Sequence, residues 1–169
     1  PERLGTAAMT IGAARPALEV AGSYSMKRKA FGQPINRFQG VSFQVAEAAM
    51  LLDACRSLVY TTSLSVDRGA DPNTVRRLVS ETKRFVTESC QKVARNAMQV
   101  MGGIGYTNVF PIERIVRDLG LASIWTGTNE VMSMIIAHEW YAEHARTGSV
   151  RNVEADAPEA LAEGEKIFD

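Results

Sequence analysis

The sequence predicts an all-α fold: an up-and-down four-helix bundle with an additional short helix. Three observations predict it. Apolar and small side chains recur at steps of three and four along long stretches, and no segment sustains the alternation of a half-buried strand. The loops between those stretches, residues 30–40, 68–73 and 102–110, are short enough to join neighbouring antiparallel helices.

The first helical stretch, residues 3–29, carries Leu4, Ala7, Ala8, Ile11, Ala14 and Leu18, with Gly5, Gly12 and Gly22 among them. Small residues on a helix face admit close approach of another helix or a flat ligand. The second runs Val41, Val45, Ala48, Leu52, Cys55, Val59, Thr62, one mainly apolar seam along a helix of about six turns. The third follows Asp71-Pro72-Asn73, where Asp or Asn can cap and Pro fits an early helical position. Its seam reads Val75, Leu78, Thr82, Phe85, Ser89, Val93, Asn96, Val100. The last helix, about residues 128–145, puts Val131, Met134, Ile135, His138 and Tyr141 on one stripe. Residues 1–148 form the bundle on this reading. Residues 149–169 differ, with six acidic residues against Arg151 and Lys166, and read as an acidic tail or a short docked helix.

Composition bounds the function. The chain has 169 residues, 46% hydrophobic and 22% charged, enough to bury a core. Nineteen Lys and Arg balance nineteen Asp and Glu, so the cationic excess of a nucleic-acid binder is missing. No apolar run approaches the roughly 20 residues of a membrane span. Cys55 and Cys90 lie inside helical patterns, are too few for a secreted disulfide framework, and point to core thiols in a reducing cytoplasm. The chain starts at Pro1 with a helical pattern almost at once, which points to a fragment of a longer protein.

Four segments invite a chemical reading. RKAFGQPINRFQ, residues 28–39, gathers cations, an aromatic, Gly and Pro in one loop: either a solvated turn, or an anion site in which Arg28 forks onto phosphate oxygens and Phe31 offers a ring face. QVMGGIGY, residues 99–106, is no Rossmann fingerprint, since no strand precedes it and the spacing is GGxG. It is a glycine helix stop, or a place where backbone amides touch a ligand beside Gln99. TGTNE, residues 126–130, precedes a helix whose first amides favour an anion, or is a plain N-cap with Thr128 capping and Glu130 in the first turn. His138 and His144 are six apart, on different helix faces, and His138-Glu139 does not complete HExxH, so no metal site is expected.

In order, Glu2-Arg3, YSMKRKAFGQPINRFQ at 24–39, QVMGGIGY at 99–106, PIERIVRD at 111–118 and IWTGTNEV at 124–131 resemble the C-terminal helical domain of acyl-CoA dehydrogenases, over about residues 1–145. The resemblance implies FAD as cofactor and α,β-desaturation of an acyl-CoA thioester, in which a carboxylate removes the α-proton and the β-hydrogen leaves as hydride to the flavin. It implies a homo-oligomer, dimer or tetramer, that passes electrons to an electron-transfer flavoprotein or a similar acceptor. By residue, it implies that Arg28 and Phe31, with Gln39 nearby, meet the FAD of a neighbouring subunit. Gln99, Gly102 and Gly103 look like the family's contacts to the adenosine-pyrophosphate half, and Thr128 and Glu130 like contacts from the other side.

One departure matters. Most members carry the catalytic Glu where this chain has Thr126, within Ile124-Trp125-Thr126-Gly127-Thr128. A Thr hydroxyl cannot take a thioester α-proton near neutral pH. The isovaleryl-CoA and long-chain branches also lack that Glu and place the base on the first helix of this domain, directly before an Arg; here Glu2 precedes Arg3. The resemblance therefore implies Glu2 as base, Arg3 shaping the site, and the Thr126 amide donating to the thioester carbonyl. Trp125 and Gly127 would line the acyl pocket. The plain reading of Glu2 is an acidic residue favoured by the helix dipole. Two other functions share the fold: a flavin-dependent acyl-CoA oxidase or monooxygenase, which in the latter case needs no carboxylate base, and a non-catalytic oligomerisation bundle.

Overall fold

The computed structural model describes residues 2–147, so the expected tail at 149–169 lies outside the described residues. Helix α1 spans Glu2–Lys27. A two-stranded antiparallel hairpin follows, β1 Lys29–Ala30 and β2 Gln33–Pro34, then a single 3₁₀ turn, Ile35–Arg37. Helix α2 spans Gln39–Asp67 and α3 spans Pro72–Met101. A four-residue helix α4, Gly103–Tyr106, precedes α5, Ile112–Ala122, and α6, Asn129–Thr147.

The all-α expectation holds, with two helices beyond the four long ones: α4 falls within residues 102–110, expected as a loop, and α5 in a segment for which no helix was drawn. Two further details differ from the sequence reading. Helix α2 has 29 residues, about eight turns, because Gln39 and Gly40 continue the helix N-terminally and Thr62–Asp67 continue it past the apolar seam. The hairpin escaped a period-two search because each strand is only two residues long.

Helix α3 is the hub, packing against α1, α2, α5 and α6. It begins as Asp71-Pro72 predicts: the Asp71 carboxylate accepts from the amides of Asn73 and Thr74, both at 3.1 Å, and Pro72 occupies the first turn. Its buried face is broader than one seam and includes Lys83, Val86, Cys90, Val93, Ala94, Ala97 and Val100. Phe85, expected inside, is exposed.

Helix α1 buries only small residues, among them Ala7, Ala14, Ala17 and Ala21. Ala7 and Ala14 share a cluster with Val86, Cys90 and Val93, whereas Ala17 and Ala21 share one with Ala97, Val100 and Met101. The two helices therefore run parallel, as the first and third members of an up-and-down bundle must. A Cβ on Gly5, Gly12 or Gly22 would meet nothing within 4 Å, so the alanines, not these glycines, carry the close approach. Helix α5 runs opposite to α3, with Ile112 beside Val100 and Leu119 beside Val86 and Cys90. Helix α6 continues in the same sense along the other half of α3: Glu139 pairs with Arg76 and Glu143 with Arg77. The α5–α6 junction, residues 123–128, thus falls against the middle of α3, level with the start of α1. Cys55 and Cys90 are free and buried, as expected of core thiols.

Candidate functional site

The α5–α6 junction is held by side chains from two other helices. Lys83, with no exposed surface, donates from Nζ to the Ser123 carbonyl at 3.2 Å, the Gly127 carbonyl at 2.8 Å and Asn129 Oδ1 at 2.9 Å. Three donated bonds match the three N–H of an ammonium, so the group is charged. Burial pushes its pKa down, the Arg3 charge adds to that, and Glu130 and Glu88 oppose it. From α1, Arg3 Nε donates to the Thr126 carbonyl at 3.2 Å. The Asn129 amide closes the loop on the Ser123 carbonyl at 3.0 Å, and Asn129 Nδ2 donates to Thr87 Oγ1 at 3.0 Å.

The backbone inside this clamp is strained. Thr126 sits at φ 54°, a left-handed conformation unusual for a β-branched residue and worth about 1–3 kcal/mol of strain. Gly127 follows at φ 99°, where a Cβ would lie 2.9 Å from the Met132 methyl and 3.5 Å from an Arg3 nitrogen. Only glycine fits. The Thr126 hydroxyl is buried with no hydrogen-bond partner among the described residues. Thr128 caps α6, its Oγ1 accepting from the Val131 amide at 3.3 Å. Hydrogen bonds from its own backbone N–H and from Thr128 hold the Glu130 carboxyl below the usual carboxylate range.

Glu2 lies in the first turn of α1, exposed and adjacent in sequence to the Arg3 that grips Thr126. Trp125 is also exposed. Glu2, Arg3, Trp125, Thr126, Gly127, Thr128 and Glu130 are therefore gathered at one place, although no segment of the sequence joins the first pair to the rest.

The other predicted residues lie elsewhere. Arg28 follows the far end of α1, about 37 Å from Arg3 at 1.5 Å per helical residue. There the hairpin turn places Phe31 and Gly32 both at positive φ, 51° and 82°, the pattern of a type I′ turn with Phe where Asn is usual. Phe31 is 95% exposed and packs edge-to-face with Phe38, the ring centroids 6.0 Å apart. Arg28, Gln39 and Gln99 are exposed. Gly102 ends α3 at φ 63°, ψ −147°, a region essentially closed to side chains, so the helix-stop reading of GGIG is correct. Gly103 then opens α4. A cavity of about 650 Å³ connects the two motifs, lined by Tyr24, Lys27 and Arg28 from the α1 end and by Ile104 and Phe110 beyond the glycines.

Sequence reasoning missed Lys83 and Asn129, the two residues that lock the junction. A lysine at a core position of α3 was the available signal, hidden because one charge in a helix reads as a solvated face. Among the described residues no group of three or more His, Cys, Asp or Glu stands together as a metal site, and no helix is long and apolar enough to cross a membrane.

Comparison with known proteins agrees with the motif order. Residues 1–140 match the family described as "Acyl-CoA dehydrogenase, C-terminal domain". An acyl-CoA dehydrogenase of Bacillus subtilis is 38% identical over 135 residues, 80% of this chain and 35% of the relative. A 3-(aryl)acrylate reductase of Clostridium sporogenes is 36% identical over 135 residues, again 80% of this chain and 35% of the relative. The structure of butyryl-CoA dehydrogenase from Megasphaera elsdenii superposes with a TM-score of 0.78 at 34% identity, covering 82% of this chain and 36% of that one. The chain spans about a third of the length of these relatives. Motif order, helical architecture and matched residues lead to one conclusion: this chain belongs to the acyl-CoA dehydrogenase family, as its C-terminal domain.

Proposed function

We propose that this domain serves an FAD-dependent acyl-CoA dehydrogenase in which Glu2 abstracts the substrate α-proton. The observation that supports the reading is the Arg3–Thr126 hydrogen bond, which ties the residue next to Glu2 to a junction that has Thr126 in place of the usual Glu.

The residues suit FAD. A dinucleotide needs cationic forks, an aromatic face and close backbone approach; Lys27 and Arg28 line one cavity together with Ile104 of the glycine segment, exposed Phe31 stands in the hairpin that follows Arg28, and Gly102-Gly103 directly precede Ile104. The junction lies roughly 37 Å away along α1. One FAD cannot touch both ends of one chain, so the two ends serve different FAD molecules, and each FAD is shared between subunits. On this reading Arg28, Phe31 and Gln39 hold a neighbour's FAD, Gln99, Gly102 and Gly103 approach its adenosine-pyrophosphate half, and Thr128 and Glu130 meet FAD at the junction. The assembly is a homodimer or tetramer, acting in the cytoplasm, with an electron-transfer flavoprotein or similar acceptor.

When bound, FAD supplies the acceptor for the β-hydride. The chain supplies the rest. The Glu2 carboxylate takes the α-proton. The Thr126 amide donates to the thioester carbonyl, where negative charge develops as that proton leaves. Arg3 fixes the carbonyl of the same residue and so anchors the turn that carries the amide. Trp125 and Gly127 wall the acyl chain, and the bulk of Trp125 limits its depth.

The test is anaerobic. In the full-length protein, Glu2→Gln should lower the rate of flavin bleaching by acyl-CoA by about 10²–10⁴-fold while FAD stays bound. An unchanged rate across straight and branched acyl-CoAs would sink the assignment. Thr126 itself favours a second reading, since a monooxygenase of this fold needs no base. Rapid reaction of the reduced flavin with oxygen, together with an oxygenated product, would select it.

A further inference from the structure

We propose that Lys83 is a positioning residue for the α5–α6 junction: it holds Thr126 in its strained conformation and thereby sets the reactivity of the site. This deepens the dehydrogenase reading and rests on it. The argument begins with an anomaly. A fully buried ammonium is costly to desolvate, and among the described residues no carboxylate hydrogen-bonds it; its three acceptors there are two backbone carbonyls and one side-chain amide. An apolar chain such as Met would fill the same space without that cost, so packing alone does not account for the charge.

Its acceptors account for it. Ser123 and Gly127 bracket Thr126, and Lys83 draws both carbonyls toward α3 while Arg3 draws the Thr126 carbonyl from the α1 side. Because each peptide unit is planar, a fixed carbonyl fixes the N–H opposite it. Lys83 therefore aims the Thr128 N–H and Arg3 the Gly127 N–H, and the amides of Thr126 and Thr128 form no hydrogen bond among the described residues. Strain of the kind seen at Thr126 persists only where surroundings over-determine the backbone. Two cations from two helices, gripping successive peptide units, are that over-determination. Asn129 ties the clamp to α6, since its side chain receives Lys83 and its amide returns to the Ser123 carbonyl.

The experiment compares the full-length holoenzyme with its Lys83→Met variant. Hydrogen exchange of peptides covering residues 121–130 should accelerate at least about tenfold, with α1–α3 protection and bound flavin unchanged. At saturating acyl-CoA the flavin-reduction rate should fall about tenfold or more while KM stays within about twofold, because a misplaced amide weakens the transition state rather than ground-state binding. Unchanged exchange at 121–130 overturns the proposal, and so does faster exchange with an unaltered rate. If none of the acyl-CoAs reduces the flavin of the wild-type protein, the dehydrogenase reading fails, and the exchange result alone still judges the clamp. If Lys83→Met does not fold, the wild-type protein decides: the Asn129 amide must exchange as slowly as the centre of α3, and faster local opening there overturns the proposal.

Discussion

At the scale of single residues, charge decided what the sequence revealed. A departure from a family pattern drew attention to Glu2, Arg3 and Thr126, and the structure joins Arg3 to Thr126 by a hydrogen bond. Lys83 was not legible, because nothing local marks a lysine whose partners lie 40 and more positions away. Glu47 is a more ordinary case, bridging α2 to α3. Hydrogen bonds from Lys92 and Asn96 hold its carboxyl below the ordinary value of 4.5. A depressed folded pKa gives stability that is complete above that ordinary value and is lost as pH falls through the lowered one. Glu47→Gln should therefore flatten the acid limb of the stability curve and leave the slope near neutrality alone. Urea midpoints measured from pH 7 down to pH 3 check this, and parallel curves for both proteins would contradict it.

At the scale of elements, capping signals and helical periodicity were reliable for the long helices, whereas faces were not: that of α3 was read too narrowly, and on α6 the expected stripe of Val131, Met134, Ile135, His138 and Tyr141 is mostly exposed while Asn129, Met132 and Glu139 are buried. The start of α3 was legible to the residue, since Asp71 and Pro72 do what their chemistry dictates. Asp71→Ala should cost about 1 kcal/mol, within the usual 0.5–2 kcal/mol for an N-cap, and thermal unfolding of the domain in its parent protein measures it. A loss below the lower figure would mean the cap is not limiting for α3. The seam of α3 was drawn as one line, but a helix with neighbours on four sides buries a broad face, and so Lys83, Val86 and Cys90 fell outside the expected stripe. The hairpin was illegible for a different reason. Its turn uses Phe31 at positive φ, a residue that sequence rules never nominate for that role.

At the scale of the whole molecule, the order of motifs along the chain disclosed the family, and the resemblance already implied that FAD is met by more than one subunit. The length of α1, which sets about 37 Å between Arg3 and Arg28, agrees with that division and makes a strong prediction. If each FAD is shared, a subunit with Arg28→Ala and a subunit with Glu2→Gln damage different ends, and mixed oligomers contain some sites built from two intact ends. Random mixing should restore about a quarter of wild-type activity per site from two nearly inactive parents, as two independent halves require. No recovery on co-expression would mean that both ends serve the same site within one subunit. The hub position of α3 has a consequence for synthesis. Helices α1 and α2 leave the ribosome before α3, and the alanine face of α1, which meets Ala48, Leu52 and Cys55 of α2, is completed only once Val86 through Met101 have been made. At about 5–20 residues per second that wait lasts several seconds, an interval in which part of the alanine face of α1 is left uncovered by its own bundle.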